Sequence, residues 1–385
     1  MIVAIVLAQL CSTTVPGGVV VTEGRGGYGA VIAARAGALV VGWQETGPRP
    51  SPSEGGPPGW RPRMAYAREL DPATLAPRAA ANNFSGEGEF YAHMTGLAAA
   101  TAPGGDGAAI ASCQCFGGSG RIACEVQAFG AFPAVTAERR AGGCSGGIAL
   151  GTAGAEAVLG FTDSATLHLV GSRSGRARAT ADAETADRMA LARADADRAV
   201  LVWRSGAGDF GGGSDAADIR AMTVDADARP SSRPVTFTGA PGRVGAPAVA
   251  WVGGAALVAY ARAASARSPW QLALATWTPG RRHAVAALRT GRAPATAPSI
   301  VASRGAGCAV LSWTEGSGRR TVVRAGRVCN GALDPATVAQ VSREGVEAGD
   351  SELATDGRSV YVVWQEIPAG RGAREELRVA RLGCE

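Results

Sequence analysis

The sequence predicts an all-β fold, a seven-bladed β-propeller of four-stranded antiparallel blades, and three observations carry that expectation. A short phrase recurs from end to end: ALVVGWQE (38–45), EAVLGFTD (156–163), AVLVWRSG (199–206), ALVAYARA (256–263), AVLSWTEG (309–316) and VYVVWQEI (360–367). Each copy climbs through small apolar residues to an aromatic ring and stops at a polar pair, which reads as one buried strand. Repetition at a period of tens of residues marks an array of like supersecondary units. Composition agrees, since 55 Gly and 21 Pro with only 5% aromatic residues suit short strands and tight turns. Finally, LDPATLAP (70–77) returns as LDPATVAQ (333–340), so a connecting link repeats as well as a strand.

The strand count per unit is plainest in the fifth copy, where PAVAWVGG (247–254), AALVAYAR (255–262), QLALATWT (271–278) and HAVAALRT (283–290) are joined by short polar links. The sixth repeats the order with PSIVASRG (298–305), CAVLSWTE (308–315), RTVVRAGRV (320–328) and TVAQVSRE (337–344). Four antiparallel strands in sequence make a propeller blade. The ring ending the second strand is Trp43, Phe161, Trp203, Tyr260, Trp313 or Trp364, and the wide first gap requires one more blade. AIASCQCF (109–116) supplies it, with Cys113 where the ring should be. The last copy has three strands, SELATDGR (351–358), VYVVWQE (360–366) and ELRVARLG (376–383), so GGVVVTEG (17–24) is expected to complete it and remove the free sheet edges. A single propeller domain then covers 17–385. Its blades are 28–86, 94–142, 146–184, 187–240, 244–291, 296–344, and 350–385 with 17–24.

Residues 1–16 form a signal-like or anchoring segment, because MIVAIVLAQL is apolar but too short to span a bilayer. Cys11 directly after it also raises lipid attachment, the one membrane link expected. The formal net charge is +5, and all 38 basic residues are Arg, scattered and not clustered. Nucleic acid is therefore not an expected partner. Eight Cys suit an oxidising compartment outside the cytoplasm. Cys308 and Cys329 would meet across a hairpin. Cys11 and Cys384 would meet only if the ring closes. Cys113, Cys115, Cys124 and Cys144 share the second-blade region and allow three pairings for two bonds; a zinc site built on Cys113, Cys115 and Cys124 is the less favoured use of them.

The copy ATDGRSVYVVWQE (354–366) resembles the secreted bacterial propeller repeat proteins whose strands end V-V-W-x-[DE] after an A-x-D-G turn. That resemblance covers nearly the whole chain and implies fold but no activity. Sialidases share the superfold, yet the turn S-x-D-x-G-x-x-W that their blades often carry is not found in this sequence, and none of their catalytic residues can be carried over by motif.

The ring closing each second strand is read as packing between blades, since burying it removes about 150–250 Å² from water. Rings in the links are different. Trp60, Phe210 and Trp270 all fall between second and third strands and so emerge on one face of the disc, beside Glu45, Arg262, Glu315 and Glu366. That set is the candidate ligand-binding face. The DAD runs at 195–197 and 225–227 lack a calcium-loop continuation and read as turns. His93, His168 and His283 have no metal-ligand spacing, and no phosphate loop is present, so no metal and no cofactor is expected. The expectation is an exported monomer that binds a glycan or a protein without catalysis. The alternative is a glycan-processing hydrolase or lyase using carboxylates around the central channel.

Overall fold

The computed structural model describes residues 11–22, 26–46, 63–84, 92–116, 121–140, 144–163, 166–184, 186–206, 217–237, 242–291, 293–304, 307–370 and 373–384. They form seven antiparallel sheets, each a meander in chain order. The inner strands are Tyr28–Arg35, Ala92–Thr101, Cys144–Ala153, Ala186–Arg193, Ala248–Val252, Ala295–Ala302 and Glu347–Thr355. Each packs against the inner strand of the next blade, and the seventh returns to the first, so the ring is closed. The single helical turn among the described residues is Pro335–Thr337.

Second strands are the most buried elements because both of their faces lie against a neighbouring sheet, which explains their unbroken apolar runs. Trp43, Phe161, Trp203, Tyr260, Trp313 and Trp364 are all buried. Trp43 packs with Tyr361, Val363, Leu377 and Val379 of the seventh blade, as the inter-blade role requires. In the second blade Cys113 takes the ring's place and lies directly opposite Cys124, to which it is disulfide-bonded. That bridge fixes one of the three open pairings and uses two of the sulfurs considered for zinc. The side chains of Cys115 and Cys144 lie outside the described residues.

Closure by the N-terminal strand is also observed. Ser12 and Thr13 pair with Gly383 and Leu382, and Val19 and Val20 pair with Val379 and Arg378. The Val21 N–H donates to the Leu377 carbonyl at 2.8 Å, and the Leu377 N–H donates to the Thr22 hydroxyl at 3.3 Å. Pairing thus starts at Ser12, ahead of the stretch 17–24. Gly18 lies in the left-handed region (φ 64°), and a Cβ there would come within 2.4 Å of the Trp364 ring, so the strand crosses that indole where only glycine fits. Cys11 and Cys384 are joined as a disulfide across a sequence separation of 373. A lipid thioether needs the same Cys11 sulfur, so lipid attachment at Cys11 gives way to the bridge. Residues 1–10 lie outside the described set.

The repeated link has a local cause. The Asp71 carboxylate accepts from the Ala73 and Thr74 N–H groups at 3.0 and 2.9 Å, and Asp334 caps Pro335–Thr337 by accepting from the Ala336 N–H at 3.0 Å. These are aspartate-capped turns of the same sense. Hydrogen bonds from Thr74, from the Arg78 side chain and from Ala73 hold the Asp71 carboxyl down at about 2.

Candidate functional site

Six of the seven inner strands carry a register irregularity near their start, opposite the end of the second strand: Tyr28/Val31, Met94/Gly96, Cys144/Ile148, Ala186/Arg188, Thr296/Ser299 and Gly349/Glu352. In the fifth blade the same place is a break between Val244 and Ala248. Such bulges re-aim side chains, and here they ring one end of the axial channel. The backbone is left-handed at Gly29 (φ 60°), Ala297 (φ 47°) and Asp350 (φ 49°).

One tier below the bulges, the inner-strand residues facing the position before the ring are Val31, Leu97, Ala149, Ala190, Ala248, Ser299 and Glu352. Glu352 is the one ionisable group in that tier. Solvent reaches it, as a strand lining the channel allows, yet protein encloses it on the other sides. The Ser299 hydroxyl of the sixth blade donates to Glu352 Oε2 at 2.8 Å and accepts from the Leu353 N–H at 3.0 Å. Loss of hydration pushes the Glu352 carboxyl up to about 7; the Ser299 bond opposes this and the Asp350 charge adds to it.

Neighbouring groups extend the cluster at the same end of the disc. Glu375, just ahead of the third strand Glu376–Gly383, is raised by burial and then by Asp350. Tyr28 is raised by burial, with the Arg63 charge opposing and Glu375 adding. The Arg63 guanidinium lies 5.4 Å from the centre of the Tyr28 ring. Three carboxyls, a phenol and a guanidinium from two adjacent blades are thus within electrostatic reach of one another. Perturbed titrating groups gathered at a channel mouth form a candidate site on physical grounds.

The face predicted from sequence is distributed differently. Trp60 and Phe210 lie outside the described residues. Trp270 is half-buried against the core between blades five and six, with the Arg243 guanidinium 5.3 Å from its ring centre. Arg262 is exposed. Each of the three glutamates accepts from the tryptophan two residues before it: the indole N–H of Trp43 donates to Glu45 Oε1 at 2.8 Å, that of Trp364 to Glu366 Oε1 at 2.9 Å, and that of Trp313 to Glu315 Oε2 at 3.5 Å. Glu315 also accepts from Arg324 Nε at 2.7 Å, and Glu366 accepts from Arg343 Nε at 2.7 Å and is ion-paired with Arg378, whose Nε lies 2.9 Å from its Oε2. In the third blade Phe161 has no N–H to offer. There Asp163 instead meets His168 Nε2 at 2.8 Å, and His168 stacks on Phe161. Burial holds the His168 imidazole below its ordinary value, with Asp163 opposing. Among the described residues no cluster of three or more His, Cys, Asp or Glu is arranged to hold a metal ion.

Sequence reasoning missed Glu352, Asp350, Glu375, Tyr28 and Arg63. One signal was available: aligned on the rings, the inner strands place apolar or small residues where SELATDGR has Glu352. The raised carboxyl makes a test. Because Glu352 holds its proton more tightly folded than unfolded, its contribution to stability is full below about 4.5 and is lost as the pH rises through about 7. The melting temperature of Glu352→Gln should therefore gain on wild type between pH 5 and pH 8, by about 2 °C after allowing for channel solvent. Parallel profiles across that range would refute the raised carboxyl.

Neither a protein-family model nor a curated protein matches the sequence. Solved structures do match in shape. The subtype N11 neuraminidase-like protein of A/flat-faced bat/Peru (H18N11) aligns with a TM-score of 0.52 at 8% identity, over 98% of this chain and 95% of that one. The β-propeller domain of the Trilobed protease from Pyrococcus furiosus aligns at 0.50 and 9% identity, over 93% and 94%. Trypanosoma rangeli sialidase aligns at 0.51 and 12% identity, and this chain spans 58% of its length. At such identities the likeness is one of fold.

Proposed function

We propose that this protein is an extracytoplasmic propeller that binds a hydroxyl-rich ligand, a glycan, at the bulge-lined end of its channel, and that it does so as a monomer without chemistry of its own. The observation that carries the reading is the convergence of Asp350, Glu352, Glu375, Tyr28 and Arg63 from blades seven and one. Carboxylates accept from sugar hydroxyls, while a protonated carboxyl, a phenol and a guanidinium donate to them. Trp270, in the link between the second and third strands of the fifth blade, supplies a partly exposed ring toward the same face for stacking on sugar planes. Three disulfides favour an oxidising compartment.

The test is a glycan array on the purified chain followed by titration of the best binder. Asp350→Asn and Tyr28→Phe, each checked for an unchanged fold, should weaken binding about tenfold, the scale of one lost hydrogen bond to a charged group. Unchanged affinity in both would move the site elsewhere.

A second reading has its own support. A carboxyl held protonated to about 7 beside a second carboxyl is what general-acid cleavage of a glycosidic bond requires. Release of reducing ends from the same panel, abolished by Glu352→Gln, would make the protein a glycan-processing hydrolase.

A further inference from the structure

The described disulfides differ in their surroundings. Cys113 and Cys124 are 1% and 2% exposed, and Cys11 and Cys384 are 0% and 6% exposed, whereas Cys329 is only partly buried. The Cys308–Cys329 bridge joins directly opposed residues of the strands Cys308–Glu315 and Val322–Cys329, beside the Asn330–Gly331 turn, of which Asn330 is exposed. The guanidinium of Arg327 donates to both sulfurs, at 3.7 Å to Cys308 and 3.8 Å to Cys329. No carboxylate is ion-paired with Arg327 among the described residues. The Cys11–Cys384 bridge has no such cation hydrogen-bonded to its sulfurs among the described residues.

From this geometry we infer that Cys308–Cys329 is a thiol-exchange site, in which Arg327 stabilises the departing thiolate and a thiol compound or dithiol reductant is the co-reactant. The thiolate of the reagent attacks the sulfur of the partly exposed Cys329, and a new S–S bond forms there. The Cys308–Cys329 bond breaks, and its electron pair remains on Cys308 as a thiolate beside Arg327. A monothiol stops at the mixed disulfide on Cys329. With a dithiol, the second thiol, once deprotonated, attacks the mixed disulfide, leaves as a cyclic disulfide and frees the Cys329 thiolate, so two electrons pass to the protein. A cation next to a sulfur lowers the thiol's pKa, and a leaving thiolate of lower pKa departs faster. Strand pairing from Ala309 with Val328 to Glu315 with Val322 is independent of the bridge, so the blade keeps its form when the bond opens.

The test uses the intact folded chain in graded dithiothreitol, with timed alkylation and peptide mass mapping, and a parallel arm in glutathione. Cys308 and Cys329 should be labelled first, at least about tenfold faster than the other two bridges, and glutathione should add to Cys329. Arg327→Gln should slow that reaction about three- to tenfold, with Arg327→Lys retaining most of the rate. Equal rates at all three bridges overturn the inference, and so does an Arg327→Gln rate equal to wild type. If Arg327→Gln is unstable, the order of labelling in wild type and the rate of the lysine variant decide it.

Discussion

Replacing both Cys11 and Cys384 by serine is expected to be among the most damaging changes the fold can suffer while leaving every strand in place. The bridge spans a separation of 373 residues; the chain-entropy model assigns a loop of that size about 6 kcal/mol, and the expected loss is about 5 kcal/mol, the top of the measured range. For a chain of this length that corresponds to a fall of roughly 6 °C in Tm. Calorimetry of the double variant beside wild type measures it. Without the bridge the closing strand is held by two short pairings, by the Cys11 and Thr14 N–H groups donating to the Thr337 and Arg381 carbonyls at 2.9 and 3.0 Å, by the Val21 and Thr22 contacts, and by the Arg68 and Arg378 guanidinium groups donating to the carbonyls of Val21, Gly17 and Gly18 at 3.0, 2.8 and 3.2 Å. A change below about 1 °C would mean that those contacts suffice and that the covalent tie is redundant.

Glu366→Ala should have an effect of similar size for a different reason. The Glu366 side chain is fully buried, accepts from the Trp364 indole and Arg343, and is ion-paired with Arg378. Removing it leaves the Trp364 indole N–H without its acceptor and takes from the largely buried Arg378 guanidinium one of its two carboxylates, Glu376 being the other. Breaking a buried pair from one side costs about 3–5 kcal/mol. Glu366→Gln keeps an acceptor and should lose less. Because Arg378 also holds the closing strand, amide exchange at Val19 to Val21 should accelerate in the alanine variant. Urea unfolding gives the energy, and a loss under about 1 kcal/mol would show that water replaces the carboxylate without penalty.

These two sites mark what was legible in the sequence. Closure was readable because three strands in the last copy and a spare strand at the start have one topological solution. Cys11 and Cys384 follow from it. Cys308 with Cys329 was readable because hairpin neighbours are close in sequence. The glutamates two residues after each tryptophan were placed on a binding face, although the period of two along a strand already puts each carboxylate on the side of its indole. Their bonds are internal for that reason. The bulge was hidden, since Gly29, Ala297 and Asp350 adopt the same left-handed backbone with unrelated side chains. With it was hidden the channel-end cluster, whose members come from two blades at opposite ends of the chain. No local pattern joins Tyr28 to Glu375.

The covalent tie between Cys11 and Cys384 makes the backbone a loop that encircles the axis once. A protease that severs one inter-blade link would leave a single molecule whose mass is unchanged apart from one added water and whose blades are all still neighbours. Tension applied through the segments outside the bridge would be carried by the sulfur–sulfur bond, and the sheets would be unloaded. The ring is thus tied against both cutting and pulling.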